Sequence, residues 1–286
     1  MQYNLDLSQR WRDRRSVFVP PDSRINPSEF GVDEISRPAA AALISRIHYL
    51  STCPVAMTCV GLFRKTGVAP ASLEGVAVFG QPRSMDSLEK HAKVDRTQGI
   101  ELTRFVLSDD CAFNSETWFM RRALGILHRH RPNIRVVLSH SDPFERTDSA
   151  GNVIFPGHVG QVYAASNAFY AGQGDPRTQY LCADGSALKD RNFSKIRREK
   201  QGWVKAMNRI IAAGAPPREA HETPAAWLKR ALASPAFRPF KHPGVHVYLL
   251  PIDHAARKSI QHEVVRLPYP KRHQPEQSGR TTRDAA

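Results

Sequence analysis

The stretch IRVVLSHSDPFERTDSAGNVIFPGHVGQVYAASNAFYAG, residues 134–172, decides the fold. It begins with a run of branched apolar residues, IRVVLS, that runs into Ser139, His140, Ser141 and Asp142. A short apolar run without alternation is a strand buried on both faces of a sheet. A glycine-bounded loop follows, and a helix is expected to open near Gly160 and to carry Tyr163, Asn167 and Tyr170. Hydroxyls, an acid and two tyrosines are poor core material. Their convergence where a strand ends and a helix begins marks a site, because open α/β sheets bind ligands outside the carboxyl ends of their strands.

Working outward towards the N-terminus, SETWFMRRALGILHRHRP places Trp118, Ala123, Leu124 and Leu127 at helical spacing. Asn114 or Ser115 is its cap, its last turn is basic as the helix dipole favours, and Pro132 ends it. Before it, GIELTRFVLSDD is a strand with Leu102, Arg104 and Val106 alternating, and residues 81–98 form a loop or short helix. MTCVGLFRKTG and LEGVAVFGQP read as an antiparallel hairpin. Ser36 caps a helix with Pro38 just inside, and AAAALISRIHYL puts Leu43, Ile47 and Leu50 on one face. Residues 1–33 are polar and proline-punctuated and are expected to be an extended arm.

Towards the C-terminus, TQYLCADGS is a fifth strand and GVHVYLLPI a last one. Between them, SALKDRNFSKIRREKQGWVKAMNR interleaves basic residues with Phe193 and Trp203, and TPAAWLKRALAS is a helix capped by Thr223. A basic tail is expected from Arg257. The order of elements gives an α/β fold, one mixed central sheet flanked by helices with additional basic C-terminal helices. The domain expected is residues 34–270 with a basic helical insertion over 186–235, followed by a disordered basic tail over 271–286.

Forty-one Lys and Arg against 27 Asp and Glu give a net charge of +14, which favours a polyanionic partner. Cys53, Cys59, Cys111 and Cys182 have no metal-ligand spacing and read as reduced thiols. No apolar run suits a membrane span or a signal peptide, so the expected location is the cytoplasm. No phosphate loop, GxGxxG, GxSxG or HExxH motif occurs, which removes the common nucleotide-cofactor and hydrolase chemistries.

The same order of elements is that of the GNAT acyltransferase superfamily, whose mixed sheet is splayed between two central strands. A closer likeness rests on HYLS at 48–51, ELTRFVLSDD at 101–110, the helix opening at Asn114 and Ser115, the LSHSDP turn, GHVGQVYAASNAFYAG and a late PYPK. Over roughly residues 40–272 the chain resembles the bacteriophage Mom family of DNA-modification proteins. The resemblance implies a transferase that adds a carbamoylmethyl group to the N6 amino group of adenine in double-stranded DNA and so shields phage DNA from restriction. For that family acetyl-CoA dependence and an iron requirement have both been proposed. In this chain the histidines that could include metal ligands are His48, His140, His158, His242 and His246, with His48 the candidate and His242 and His246 flanking the last strand. Where a GNAT protein keeps the glycine-rich loop for the pyrophosphate of acetyl-CoA, this chain reads SDDCAFNSE at 108–116, and Asp109 and Asp110 would repel an anion. The donor is therefore open between acetyl-CoA and another acyl or aminoacyl compound.

Adenine's amino lone pair is conjugated into the ring, so the reaction needs a proton acceptor at that amine. Asp142 is the expected acceptor, Ser139 a holder of that acid or of the donor, and Tyr163 a stacking partner or a donor to developing charge. Tyr49 either closes the pocket or packs on the sheet edge. Glu101 and Arg104, three apart on one strand, are expected on opposite faces, with Arg104 paired to Asp142 or to a donor carboxylate. Asn114, Ser115, His158, Gly160, Asn167 and Tyr170 complete the expected substrate and donor side. Lys195, Arg197, Arg198, Lys200, Lys271 and Arg272 are the expected phosphate contacts. Two other functions stay open: an N-acetyltransferase using acetyl-CoA on a small amine or protein, and a non-catalytic nucleic-acid binder. The charge and the missing glycines weigh against the first, and the polar residues of 139–170 against the second.

Overall fold

The computed structural model describes residues 8–12, 15–19, 23–48, 50–67 and 69–271. β1 (Ser8–Arg12) and β2 (Arg15–Val19) pair with each other, and β3 (Phe30–Glu34) follows. α1 (Arg37–Ile47) opens as its sequence requires, with the Ser36 hydroxyl accepting from Ala39 N–H and a proline in the first turn. β4 (Thr58–Thr66), β5 (Ala69–Gly80), α2 (Asp86–Ala92), β6 (Gly99–Leu107), α3 (Ser115–His130) and β7 (Val136–Ser141) come next. A small hairpin of β8 (Arg146–Thr147) and β9 (Val153–Phe155) leads to α4 (Gln161–Ala165) and β10 (Phe169–Gln173). β11 (Arg177–Leu181), α5 (Asp190–Arg197), α6 (Trp203–Ala212), α7 (Pro224–Leu232) and β12 (Arg238–His242) form an insertion before β13 (His246–Pro251) and α8 (His254–Glu263).

Seven strands make one mixed sheet in the order β10-β13-β7-β6-β5-β4-β3. Every neighbour is antiparallel except β6 and β7, which run parallel. One face packs Val60, Leu62, Phe79, Ile100 and Val137 against Phe119, Ala123 and Leu127 of α3. On the other, α1 covers Cys59, Val76 and Val78, while Leu88 of α2 and Ile260 of α8 cover Val136, Leu138 and Leu249. The strands at the centre are thus buried on both sides, as an unalternated apolar run requires. Among the described residues no helix is long and apolar enough to cross a membrane.

Four local expectations are corrected. Residues 30–33 are not part of an extended arm: Phe30 is buried against Trp118, which draws the segment into the sheet as its edge strand. The helix after Gly160 is only five residues long, because Asn167 turns left-handed at φ 58°; Tyr170 therefore lies on β10. β11 is not a sheet strand but pairs with β12, closing a module with its own core of Phe193, Ile196, Ile210, Trp227 and Leu228. The expected tail from Arg257 begins instead as α8, capped by Asp253 accepting from Ala256 N–H at 2.7 Å, with Ala256 and Ile260 buried.

Gly160 starts α4 at φ +76°, where a Cβ would stand 2.7 Å from Tyr248 Cε2 and 2.9 Å from Tyr163 Cδ2. Gly160→Ala therefore combines left-handed strain with overpacking and should cost about 2–4 kcal/mol in denaturant unfolding. A loss below about 1 kcal/mol would mean that Tyr163 and Tyr248 can move apart freely.

Candidate active site at the strand divergence

β6 and β7 pair only through Gly99, Ile100 and Glu101 with Val136, Val137 and Leu138. Beyond Glu101 and Leu138 they part, β7 keeping β13 and β6 keeping β5. The divergence opens between two central strands, where backbone and side chains are no longer consumed by the ladder. A bulge sharpens it: Phe79 faces Leu102 and Val78 faces Arg104, so Thr103 is the extra residue, its hydroxyl donating to Val78 O at 3.0 Å. The bulge returns Arg104 to the same face as Glu101. Their expected placement on opposite faces is corrected, because spacing alone does not count the extra residue.

On that face Glu101 is 3% exposed, and its Oε2 accepts from Arg83 N–H at 2.9 Å. His140 Nδ1 stands 3.4 Å from Glu101 Oε1, and the Arg83 guanidinium lies 3.8 Å away. Burial would raise the Glu101 carboxyl, but His140 and Arg83 outweigh it and hold it below the usual carboxylate range. Arg104 is fixed by donating to Thr52 O at 3.1 Å and to Thr103 O at 2.6 Å. It does not pair with Asp142 as expected. His48, at the end of α1, accepts from Leu50 N–H through Nδ1 at 2.9 Å. Its pKa falls to about 3, first through burial, then through the charge of Arg104, with His158 adding to the effect. The charges of Arg104 and His158 thus both act on His48.

The opposite face gathers the aromatic residues. Tyr163 and Tyr248 are 5.1 Å apart between ring centroids, and Tyr170 and Tyr248 5.4 Å. Tyr170 hydroxyl and His246 Nδ1 are hydrogen-bonded at 2.8 Å in a buried pair; burial raises the phenol's pKa and lowers the imidazole's. Tyr248 hydroxyl donates to Val159 O. Ser139 Oγ is fully buried and has no hydrogen-bond partner among the described residues, so a polar group of a substrate would relieve its desolvation there.

Asp142 has a different role from the free acceptor expected. Oδ1 accepts from His242 Nε2 at 2.9 Å and from Phe144 N–H at 3.0 Å, and Oδ2 lies 3.5 Å from Arg146. Its carboxylate is bound on both oxygens and holds a turn. Asn114 makes no side-chain cap, and the Ser115 hydroxyl donates back to Ala112 O. Asn167 is an exposed turn residue whose carbonyl accepts from Arg257. These three serve the backbone rather than the divergence. Gly160 shapes it by letting Tyr163, Tyr248 and Ser141 close in. Tyr49 and Arg272 lie outside the described residues. Sequence reading took His140, His242 and His246 as possible metal ligands, whereas His140 faces Glu101, His242 bonds Asp142 and His246 bonds Tyr170; it missed Arg83 and Tyr248.

The loop between β6 and α3 has no glycine to cradle the pyrophosphate of acetyl-CoA. The N–H groups of Asp110, Cys111, Phe113 and Ser115 are spent on Ser108, Ser23 and Ala112, and Phe113 O accepts from Ile25 N–H. With Asp109, Asp110 and Glu116 alongside, this helix start has little to offer a pyrophosphate. Among the described residues no three His, Cys, Asp or Glu side chains are grouped to hold a metal ion. Arg197, Arg198, Lys200 and Lys271 are exposed, and Lys195 is half-buried. A groove of about 610 Å³, lined by Tyr180, Arg197, Lys229, Leu232 and Pro239 among others, runs beside them on the inserted module.

A family model described as the Mom protein family matches residues 29–271. The chain belongs to that family. A comparison with curated proteins gives no match. Solved structures with a similar arrangement include yncA of Salmonella typhimurium, described as an acetyltransferase and solved with acetyl-CoA, at 11% identity and a TM-score of 0.35 over 79% of this chain and 96% of that one. A tandem GNAT protein of clavulanic acid biosynthesis gives 8% identity and a TM-score of 0.39 over 79% and 99%. An N-acetyltransferase of Staphylococcus aureus Mu50 gives 10% and 0.34 over 78% and 99%. At these values the likeness says nothing about the chemistry of this Mom-family chain.

The His48 shift has a sign that can be measured. Unfolded, His48 takes up a proton near 6.5; folded, it does so only near 3. Between those values the unfolded chain binds more protons, so stability falls as the pH drops through that window. His91 and His246 are lowered too and act in the same direction. Glu101 contributes only below its ordinary value of 4.5. Melting temperature should therefore fall from pH 6.5 to about 5, and His48→Gln should flatten that limb. An unchanged slope in the variant would overturn the assignment of His48 as a buried neutral imidazole.

Proposed function

We propose that this Mom-family chain is a transferase that attaches a carbamoylmethyl group to the N6 amino group of adenine in duplex DNA and thereby protects that DNA from restriction. The observation that carries the reading is a charged and aromatic site at the divergence of β6 and β7, beside a strongly basic module, in a chain matched by the Mom model over residues 29–271. A conjugated amine must lose a proton as it forms its new bond, so a base has to meet it. The Glu101–His140 pair suits that step: an ionised carboxylate beside one imidazole nitrogen orients the ring and stabilises the imidazolium that forms. The Arg104 guanidinium, fixed on two carbonyls, supplies positive charge for the carbamoyl oxygen of the incoming group. Tyr163 and the buried Ser139 hydroxyl lie on the opposite face of the sheet from the Glu101–His140 pair.

The amino group lies inside the stack of a duplex, so the base must be turned out, at a cost of a few kcal/mol that phosphate contacts offset. Lys195, Arg197, Arg198 and Lys200, on and just after α5, are placed for such contacts, and Lys271 follows after α8. The new bond joins N6 to the methylene carbon of the carbamoylmethyl group, so the donor must carry its leaving group on that carbon or rearrange after acyl transfer, and no step here is routed through coenzyme A.

Nucleosides digested from DNA co-expressed with the protein should contain a modified deoxyadenosine by mass spectrometry. His140→Ala and Arg104→Ala should each lower its yield at least about 100-fold without loss of folding. Unmodified DNA under good expression of the unaltered chain would overturn the reading. Replacing Lys195, Arg197, Arg198 and Lys200 together by Ala should reduce the slope of log affinity against log salt by about 3 to 4. An unchanged slope removes α5 from the DNA contact.

A further inference from the structure

The residues from Arg177 to His242 contain fourteen Lys or Arg and five Asp or Glu, a net +9 of the chain's +14. They enclose a hydrophobic core separate from the sheet's, around Trp227 and Ile210. The contacts that tie this module to the sheet domain converge on residues 142–155, between β7 and α4. Phe240 stacks on Phe144 at 4.5 Å, and Arg238 donates to Thr147 O at 3.2 Å. Ser149 N–H donates to Ala183 O, and Gly185 packs so closely on Thr147 and Ile154 that a Cβ would stand 2.7 Å from each. At the centre is His242, 1% exposed. Its Nδ1 accepts from Gly244 N–H at 3.0 Å, so Nε2 carries the proton donated to Asp142 at 2.9 Å.

Asp142 is held at three points. Its side chain accepts from His242 of the module and from Phe144 N–H, and its carbonyl accepts from His158 N–H at 2.8 Å. The charge of His158 acts on His48, and two residues later Gly160 opens the helix of Tyr163. We infer that Asp142 and His242 form a joint that makes the basic module and the 142–158 loop one body, so that DNA seated on the module sets the position of His158 and Tyr163 at the divergence. The inference rests on the DNA reading above for its occupant, while the joint itself stands on the geometry. A buried Asp–His contact is a poor source of net stability, since desolvation offsets much of its attraction; what it supplies is register. Asp142 and His242 are positioning residues, one step removed from the reacting atoms.

Hydrogen exchange reads the joint through the two amides that Asp142 accepts. In full-length His242→Leu without DNA, the amides of Phe144 and His158 should exchange at least about tenfold faster than in the unaltered protein. The amide of Trp227, bonded to Thr223 O within the module, should not change. With a duplex oligonucleotide, α5 should be protected in both proteins, whereas Phe144 and His158 should gain protection only in the unaltered one. The modification rate should fall at least about tenfold in His242→Leu at unchanged DNA affinity, and His242→Gln, which keeps a donor towards Asp142, should recover most of it. Unchanged exchange of Phe144 and His158 in His242→Leu overturns the joint, as does acceleration of Trp227 to the same extent or failure of His242→Gln to recover the rate. If DNA protects nothing in the unaltered protein, the DNA reading fails, and the free-protein comparison still decides the joint.

Discussion

Two parallel strands that share only three residue pairs are the constraint on which the rest of this structure depends. β7 leaves β6 to follow β13, and β6, lengthened by the bulge at Thr103, stays with β5. Where they part, the ladder that would satisfy both backbones ends, and side chains from both faces reach the gap. Glu101 and His140 meet across it, Arg104 is turned to their side, and the loop before α4 brings in His158. A sheet paired throughout would leave no such opening, because its central strands would be sealed by their neighbours and by helices on both faces.

The second organising feature is the separation of charge from the core. Most of the excess positive charge sits on a module with its own apolar interior, where the cations can remain solvated. The contacts that tie the module to the rest of the molecule include the stacking of Phe240 on Phe144, the Arg238 bond to Thr147 O, the Ser149 N–H bond to Ala183 O and the buried contact of His242 with Asp142. The loop that follows Asp142 runs to His158 and to the start of α4 at Gly160. These contacts link the basic module to the divergence of β6 and β7 through a stretch of about fifteen residues. At Gly185 the close approach of Thr147 O leaves no room for a side chain, whereas Gly160 is crowded by the Tyr163 and Tyr248 rings.

Local signals were legible wherever one residue type has one physical use. Ser36 and Pro38 mark the start of α1, the unalternated run at 134–139 marks a central strand, and the hairpin at 58–80 follows from its strands and turn. The aspartates and missing glycines of 108–116 already argued against a pyrophosphate loop, and the spent amides give the same answer. Contacts between residues far apart in the chain were not legible. Asp142 and His242 are 100 residues apart, Arg104 and Thr52 52 apart, and nothing in their local sequence announces the partner. The bulge at Thr103 reverses the face assigned to Arg104 because period-two reasoning assumes an uninterrupted strand.

By itself the sequence determined the α/β class, the central strand with its polar end, the basic insertion and the family, since each is written in composition, periodicity or short ordered motifs. Only the tertiary structure decided which of those polar residues share a face, which carboxylate remains beside a base and which is taken up in a turn, and how the module is held. Those outcomes depend on strand register and on long-range hydrogen bonds, and neither has a local signature for the sequence to display.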